Sequence, residues 1–408
     1  MKITYLSKLT LVPHVIRSDK KNYIVEDLNS GDFYEMPLPA IDAIGKINRG
    51  VDLETIQVEL EALYPEEEID ILDFTHQLIE LELVSKIDGQ DVIKHKEKSL
   101  ASQGFLWIPP NLGKLFFNKI SFSIYVLLFL LNLGLFIMFP ELFPSYTDYF
   151  VFEWMALDIL LWMGIGTVLL VIHELGHILS IRSKGLPAKL SLSHRLVFIV
   201  LETDLTAAWK LPSRSRNVLY LGGLALDMVI LAAALSVQIV YPESPALLLS
   251  IAKIVVIDIF IRFVFQCGIY MKTDLYFVLE NVTGSYNLME NANYLLRNLF
   301  SKKDRNIGEV SYKEEKWTIA TYSIFYFLGV CLTVAIFVFY SLPQMTYVME
   351  EAVQRLSNPI LSKPFIDGML IILETVIGGG ILVFSWSRKY SGTGTRRQDN
   401  ESCLKTSE

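Results

Sequence analysis

The sequence predicts a polytopic α-helical membrane protein with about six transmembrane helices, preceded by a small cytosolic α+β domain. Three observations carry this expectation. First, the 52% hydrophobic content averages over two unlike regions: residues 1–116 read as an ordinary soluble segment, and strongly apolar runs recur from 117 onward. Second, a bilayer span needs about 20 mostly apolar residues. Runs of that kind fall at 118–139, 155–181, 218–240, 248–270, 317–342 and 365–386. Third, Lys and Arg alternate between successive loops.

That alternation sets the expected topology, because cytosolic loops carry the excess of basic residues. The lysine-rich N-terminal region is followed, after the first span, by a loop without Lys or Arg, "PELFPSYTDYF". The next loop carries Lys184, Lys189, Arg195, Lys210, Arg214 and Arg216, and the link "YPESPA" carries none. The loop after the fourth span is basic again, from Lys272 to Lys316. The loop after that holds only Arg355 and Lys363, and the tail carries Arg388, Lys389, Arg396 and Arg397. Both termini are therefore expected in the cytosol of a multi-pass protein of the bacterial cytoplasmic membrane. No cleavable signal peptide is expected, since "MKITYLSKLTLVPHVIRSDKK" lacks a sustained apolar core. The net charge of −8 gives no reason to expect nucleic acid as a partner. Cys267, Cys331 and Cys403 are not spaced for a metal site or a disulfide framework.

Within residues 1–95, "YIVEDLNSGDFYEMP" (23–37) reads as a hairpin turning at Asn29-Ser30-Gly31. "LPAIDAIGKINRG" reads as a short helix ended by Gly50. Helical spacing follows at Leu53, Ile56, Leu60 and Leu63, and again at Ile71, Phe74, Leu78 and Leu81. His14, His76 and His95 read as solvated or packing residues. Residues 96–116 form the expected linker, stiffened by "WIPPNLG". "KHKEK" at 94–98 reads as solvated, and residues 387–408 as a disordered cytosolic tail.

The second apolar run contains "VIHELGHILS". His173 and His177 are four apart and so share one helix face, with Glu174 beside them. This is H-E-x-x-H, two metal ligands and a general base. A charged residue at mid-membrane costs roughly 2.5–3.5 kcal/mol on insertion scales. A zinc ion would account for the glutamate and both imidazoles together. An open catalytic zinc site needs a third protein ligand, and the histidines lie near the cytosolic end of their span. Asp274, in "IYMKTDLYF", lies at the cytosolic end of the fourth span and fits that depth. Glu202, Asp204 and His194, in the connection that follows the histidines, remain rivals. Asp158 is 15 residues before His173, about 22 Å along a helix, and reads as belonging to the other face. Asp258 precedes Arg262 by four and reads as an intrahelical ion pair. Asp227 reads as a helix-packing hydrogen bond. The stretch 186–216 alternates and then turns β-branched, so one or two strands are expected there.

"HELGH" and the later "TD" resemble the site-2 protease family of intramembrane zinc metalloproteases over residues 117–385. The family's second motif has Asn, then Pro three residues on, then Asp five further, then Gly. Here those places hold Gln266, Ile269, Asp274 and Leu275. The Asp is kept and Gln266 preserves an amide. The resemblance implies Glu174 as catalytic base, a zinc ligand set of His173, His177 and Asp274, and Gln266 as an oxyanion or substrate contact. "LGGLALD" (221–227) is similar to the small-residue stretch that opens another core helix of the family. Residues 20–90 resemble the PqqD-like domain, a winged-helix module that binds the leader of a ribosomally made peptide. The combined expectation is a membrane zinc endopeptidase that cuts such a precursor during maturation or export. Its rivals are regulated cleavage of a membrane-anchored signalling protein and a non-catalytic receptor or immunity protein.

Overall fold

A computed structural model describes residues 3–92, 104–195, 198–242, 245–300 and 316–405. The run at 94–98, with His95, and the basic residues of 301–315 lie outside the described residues. The chain divides into two compact units. One is Met1–Gln103 with Thr206–Arg216, and the other is Gly104–Leu205 with Asn217–Glu408.

In the smaller unit, β2 (His14–Asp19), β3 (Asn22–Asp27) and β4 (Phe33–Met36) form an antiparallel sheet in that order. The β3–β4 turn closes where Gly31 takes φ +74°, a conformation that glycine adopts without strain. The hairpin of 23–37 is thus present, with one strand more than expected. β2 joins β3 through Lys20 at φ +54° instead of through a glycine, so the usual hairpin signal is missing from the sequence. Three helices follow: α1 (Leu38–Ile47), α2 (Leu53–Leu63) and α3 (Ile71–Glu80). Asp52 caps α2 by accepting from Thr55 N at 2.9 Å, and Asp70 caps α3 in the same manner. Leu53, Ile56, Leu60, Ile71 and Leu78 are buried together, as their spacing requires, whereas Leu63 is exposed. β5 (Val84–Ile87) pairs with β6 (Gln90–Asp91) on one side and β1 (Leu9–Leu11) on the other. His14 bonds to Val12 O and Asn48, and His76 is exposed.

The smaller unit also includes residues 206–216, which the sequence reading assigned to a loop of the other half. They are held by charge. Arg216 pairs with Asp19 and stacks 4.3 Å over the Trp209 ring. Lys210 pairs with the buried Glu26 at 2.7 Å.

The larger unit is helical apart from one hairpin. α4 (Pro110–Phe116) and α5 (Lys119–Met138) precede α6 (Met155–Arg182). Residues 104–116, expected within a linker, belong to this unit, and the buried Arg182 holds them. Its guanidinium donates to the carbonyls of Ile108 (2.9 Å), Leu186 (2.8 Å) and Leu106 (3.4 Å). β7 (Lys189–Arg195) and β8 (Phe198–Asp204) pair as two strands where one or two were expected within 186–216, and β8 packs on α6. α7 (Ser213–Tyr220) leads to α8 (Gly222–Val240), α9 (Ala246–Gln266), α10 (Asp274–Thr283) and α11 (Leu288–Phe300). α12 (Lys316–Ile336) continues through a π-turn, Phe337–Ser341, into α13 (Leu342–Arg355). α14 (Lys363–Lys405) ends the described chain.

Among the described residues, five helical stretches are long and apolar enough to cross a membrane: α5, α6, α8, Trp317–Arg355 and Lys363–Ile381. The expectation was six. α9 is a helix of 21 residues, but Lys253, Asp258 and Arg262 leave it outside that set. Asp258 and Arg262 form the expected i,i+4 pair at 2.7 Å, while Ala252, Val256 and Ile259 pack in a core with Leu231 and Leu235 of α8. The fifth run extends past its expected end because the helix bends through the π-turn instead of stopping. α14 runs to Lys405, through the segment expected to be a disordered tail. After Pro364 no proline interrupts it.

Candidate metal centre

The centre is assembled where α6 meets α8. His173, Gly176, His177 and Ser180 recur at helical spacing and form one stripe of α6. A Cβ on Gly176 would lie 2.3 Å from Gly222 O, and one on Gly222 would lie 2.7 Å from Gly176 O. Only glycines permit this approach, a use of small residues that is common where membrane helices pack closely. The contact presses the histidine stripe onto the start of α8.

Each imidazole is then fixed through Nδ1. His177 Nδ1 lies 3.0 Å from Leu219 O, and a carbonyl only accepts, so Nδ1 carries the hydrogen. His173 Nδ1 lies 2.7 Å from Asp227 Oδ2, where an ionised carboxylate likewise requires an N–H. Both Nε2 atoms therefore present lone pairs in the neutral rings. They point at one place, 3.3 Å apart.

Asp274 completes the group from the other side. Thr273 caps α10 and donates to Gln266 O at 2.9 Å. Asp274 N donates to Gln266 Oε1 at 2.8 Å, and Gln266 Nε2 donates to Asp274 Oδ2 at 2.7 Å. The end of α9 and the start of α10 are thereby stitched together. Asp274 Oδ2 is left 3.2 Å from His173 Nε2 and 3.3 Å from His177 Nε2.

These three atoms form a nearly equilateral triangle of acceptors. Without a proton or a cation between them they would repel. The edges suit a metal: bonds of about 2.0–2.1 Å in a tetrahedral site give ligand–ligand edges of about 3.3–3.4 Å. Charge points the same way. Glu174, Asp227 and Asp274 lie together in a largely buried region, and among the described ion pairs only the imidazoles partner the two aspartates. A divalent cation would offset charge that the side chains leave unbalanced. His173, His177 and Asp274 are thus a buried group able to hold a metal ion.

Glu174 is buried beside its two histidine neighbours. Its Oε2 accepts from Thr203 Oγ1 of β8 at 2.7 Å, a contact the sequence reading did not anticipate. Gln266 is buried beside the group, and both ends of its amide engage Asp274. Among the described residues, the rivals for the third ligand are not in the metal group. Asp158 accepts from Val151 N and Phe152 N near the start of α6. Asp258 is paired with Arg262. Glu202 and Asp204 lie on β8, and the His194 side chain is outside the described residues. Asp227 does make a helix-packing hydrogen bond, but to the metal-facing His173. One signal was available for it. Gly223 and Asp227 are four apart, so a close-approach position and an acid share one face of α8. Compared with protein-family models, curated proteins and solved structures, the chain matches none.

Proposed function

We propose that the protein is an intramembrane zinc endopeptidase similar to site-2 proteases, acting on a ribosomally made peptide precursor. The observation that carries this reading is the ligand triangle. Two Nε2 atoms and one carboxylate oxygen converge at 3.2–3.3 Å, each Nδ1 is already engaged, and H-E-x-x-H supplies a glutamate beside them.

A zinc ion held by His173, His177 and Asp274 would acidify water and polarise a scissile carbonyl. Glu174 would take the proton from the attacking water and pass it to the leaving amine. Thr203 would keep the Glu174 carboxylate oriented for that exchange. Gln266 would hold the Asp274 carboxylate toward the histidines and keep it from turning away.

The N-terminal unit supports the choice of substrate. Three helices followed by the β5–β6 hairpin is the order expected of a winged-helix module. The β2–β3–β4 sheet has β2 and β4 at its edges, where an extended leader could add as a further strand. Such a module would raise the local concentration of its substrate.

The test is Glu174→Gln in the full chain, purified in detergent. Zinc content should match the wild type, because the ligands remain. Cleavage of a precursor peptide encoded beside the gene should fall at least about a hundredfold, as expected for loss of a general base. Undiminished cleavage would overturn the proposed mechanism.

A further inference from the structure

The two metal-facing imidazoles are held differently. His177 leans on a backbone carbonyl, which no substitution removes. His173 leans on a side chain, Asp227, which is 1% exposed and lies 54 residues away in the sequence. Asp227 Oδ2 sits at the far nitrogen of the ring from the ligand atoms, so it is not itself a ligand. Its other oxygen, Oδ1, is buried with no hydrogen-bond partner among the described residues. Its resolved hydrogen bonding therefore goes to His173 alone.

The plane of that ring is set by the same helix. A Cβ on Gly223 would lie 2.4–2.6 Å from Nε2, Cε1 and Cδ2 of His173, so the imidazole lies against bare α8 backbone. One alternative placement fills nearly the same space: a half-turn about the Cβ–Cγ bond returns the ring to the same plane and exchanges nitrogen for carbon at both edges. The two end positions are nearly isosteric, so packing barely distinguishes them. The hydrogen bond to Asp227 does.

We propose that Asp227 is the positioning residue of the metal centre. It holds His173 in the orientation and tautomer that turn a bare Nε2 toward the ion, and it makes that nitrogen a stronger donor. The inference rests on the metal reading given above. Carboxylates behind ligating imidazoles act in this way in metal sites generally, and their loss costs about 10–100-fold in affinity.

The experiment uses the full chain in detergent, stripped with a chelator and titrated with zinc against a competing chromophoric chelator. Asp227→Ala removes the hydrogen bond. Asp227→Asn keeps the shape, but its amide nitrogen can donate to Nδ1 and favour the tautomer with the proton on Nε2. Asp158→Asn is the control for losing a buried acid elsewhere on these helices. Both Asp227 variants should bind zinc about 10–100-fold more weakly. The metal-free proteins should keep the wild-type melting temperature, so that only the zinc-induced rise shrinks. If Asp227→Ala misfolds, the isosteric Asn variant decides. Unchanged zinc affinity in a correctly folded Asp227 variant would overturn the inference, as would equal weakening in the Asp158 control. A wild-type chain that binds no zinc would overturn the metal reading itself, and that result appears before any variant is made.

Discussion

In the smaller unit the fully buried side chains are mostly aliphatic: Leu53, Ile56, Leu60, Ile71 and Leu78. In the larger unit the buried set adds His173, Glu174, His177, Asp227, Gln266 and Asn281 to apolar side chains such as Ile181 and Leu235, while Ile120, Leu127, Ile324 and Val376 are exposed. Water-soluble folds seldom expose large apolar patches, and several long helices here carry many exposed apolar side chains. Where the surrounding solvent is hydrocarbon, apolar groups are indifferent to position and polar groups must find partners inside, and this distribution is consistent with such a solvent. In the smaller unit, buried charges such as Glu26 and Arg216 sit in ion pairs within a mostly aliphatic core. In the other, a buried polar residue marks either a stitch between helices or chemistry. Asn132 is a stitch, donating to Met228 O at 3.0 Å. The His173–His177–Asp274 group brings three acceptor atoms together from two helical segments and could hold a metal ion.

The sharpest way to break this contrast is to remove a ligand. Asp274→Ala should weaken zinc binding by several orders of magnitude, because two imidazoles alone make a poor site. Asp258→Ala should leave zinc in place, since that carboxylate is committed to Arg262 at 2.7 Å. Zinc content after desalting measures both. The opposite pattern would reassign the third ligand and return the buried acids to a structural role.

A smaller effect tests the smaller unit. Ile56 has no exposed surface, so Ile56→Ala should cost about 2–5 kcal/mol through lost burial and the cavity it leaves. Hydrogen exchange over residues 53–80 should accelerate while zinc content stays unchanged. Loss of zinc in this variant would show that the two units do not keep separate accounts of stability.

How legible each region was follows from the same contrast. In the smaller unit periodicity found the three helices and the 23–37 hairpin, because one apolar face meets one core. β2 escaped, since Lys20 rather than glycine makes its turn, and the docking of 206–216 escaped because ion pairs such as Arg216–Asp19 span 197 residues. In the larger unit, spacing alone brought out His173, Glu174 and His177, and depth brought out Asp274. Asp227 and Thr203 were not legible as parts of the site. A lone acid in an apolar helix shows that a partner exists, not which one, and a strand threonine is unremarkable until its neighbour is known. α9 was read as a sixth span from its length, although its three charges set it apart from the other five.

The last and smallest effect concerns pH, where a buried glutamate in each unit should respond with opposite sign. Glu26 is pushed up by burial, but its bonds to Lys210 and Arg17 outweigh that and hold it below the ordinary carboxylate range. Its contribution to stability is present above that ordinary value and is lost as pH falls. Glu280, on α10 and outside the five long apolar helical stretches, has no such cation bonded to it among the described residues. Burial raises it from 4.5 to about 7, although Tyr276 OH and Leu288 N both donate to its Oε1. The folded chain therefore binds a proton that the unfolded chain has released. The stabilisation is complete below about pH 4.5 and lost as pH rises through about 7. Glu280→Gln keeps an acceptor for both donors and cannot ionise. Hydrogen exchange over residues 274–300, corrected for its intrinsic pH dependence, should loosen between pH 5 and 8 in the wild type by the equivalent of about 2 kcal/mol. The variant should stay flat, and residues 14–36 should show no matching loosening as pH rises. An identical pH slope in wild type and variant would mean that Glu280 remains ionised and solvated, and the contrast between the two glutamates would fail.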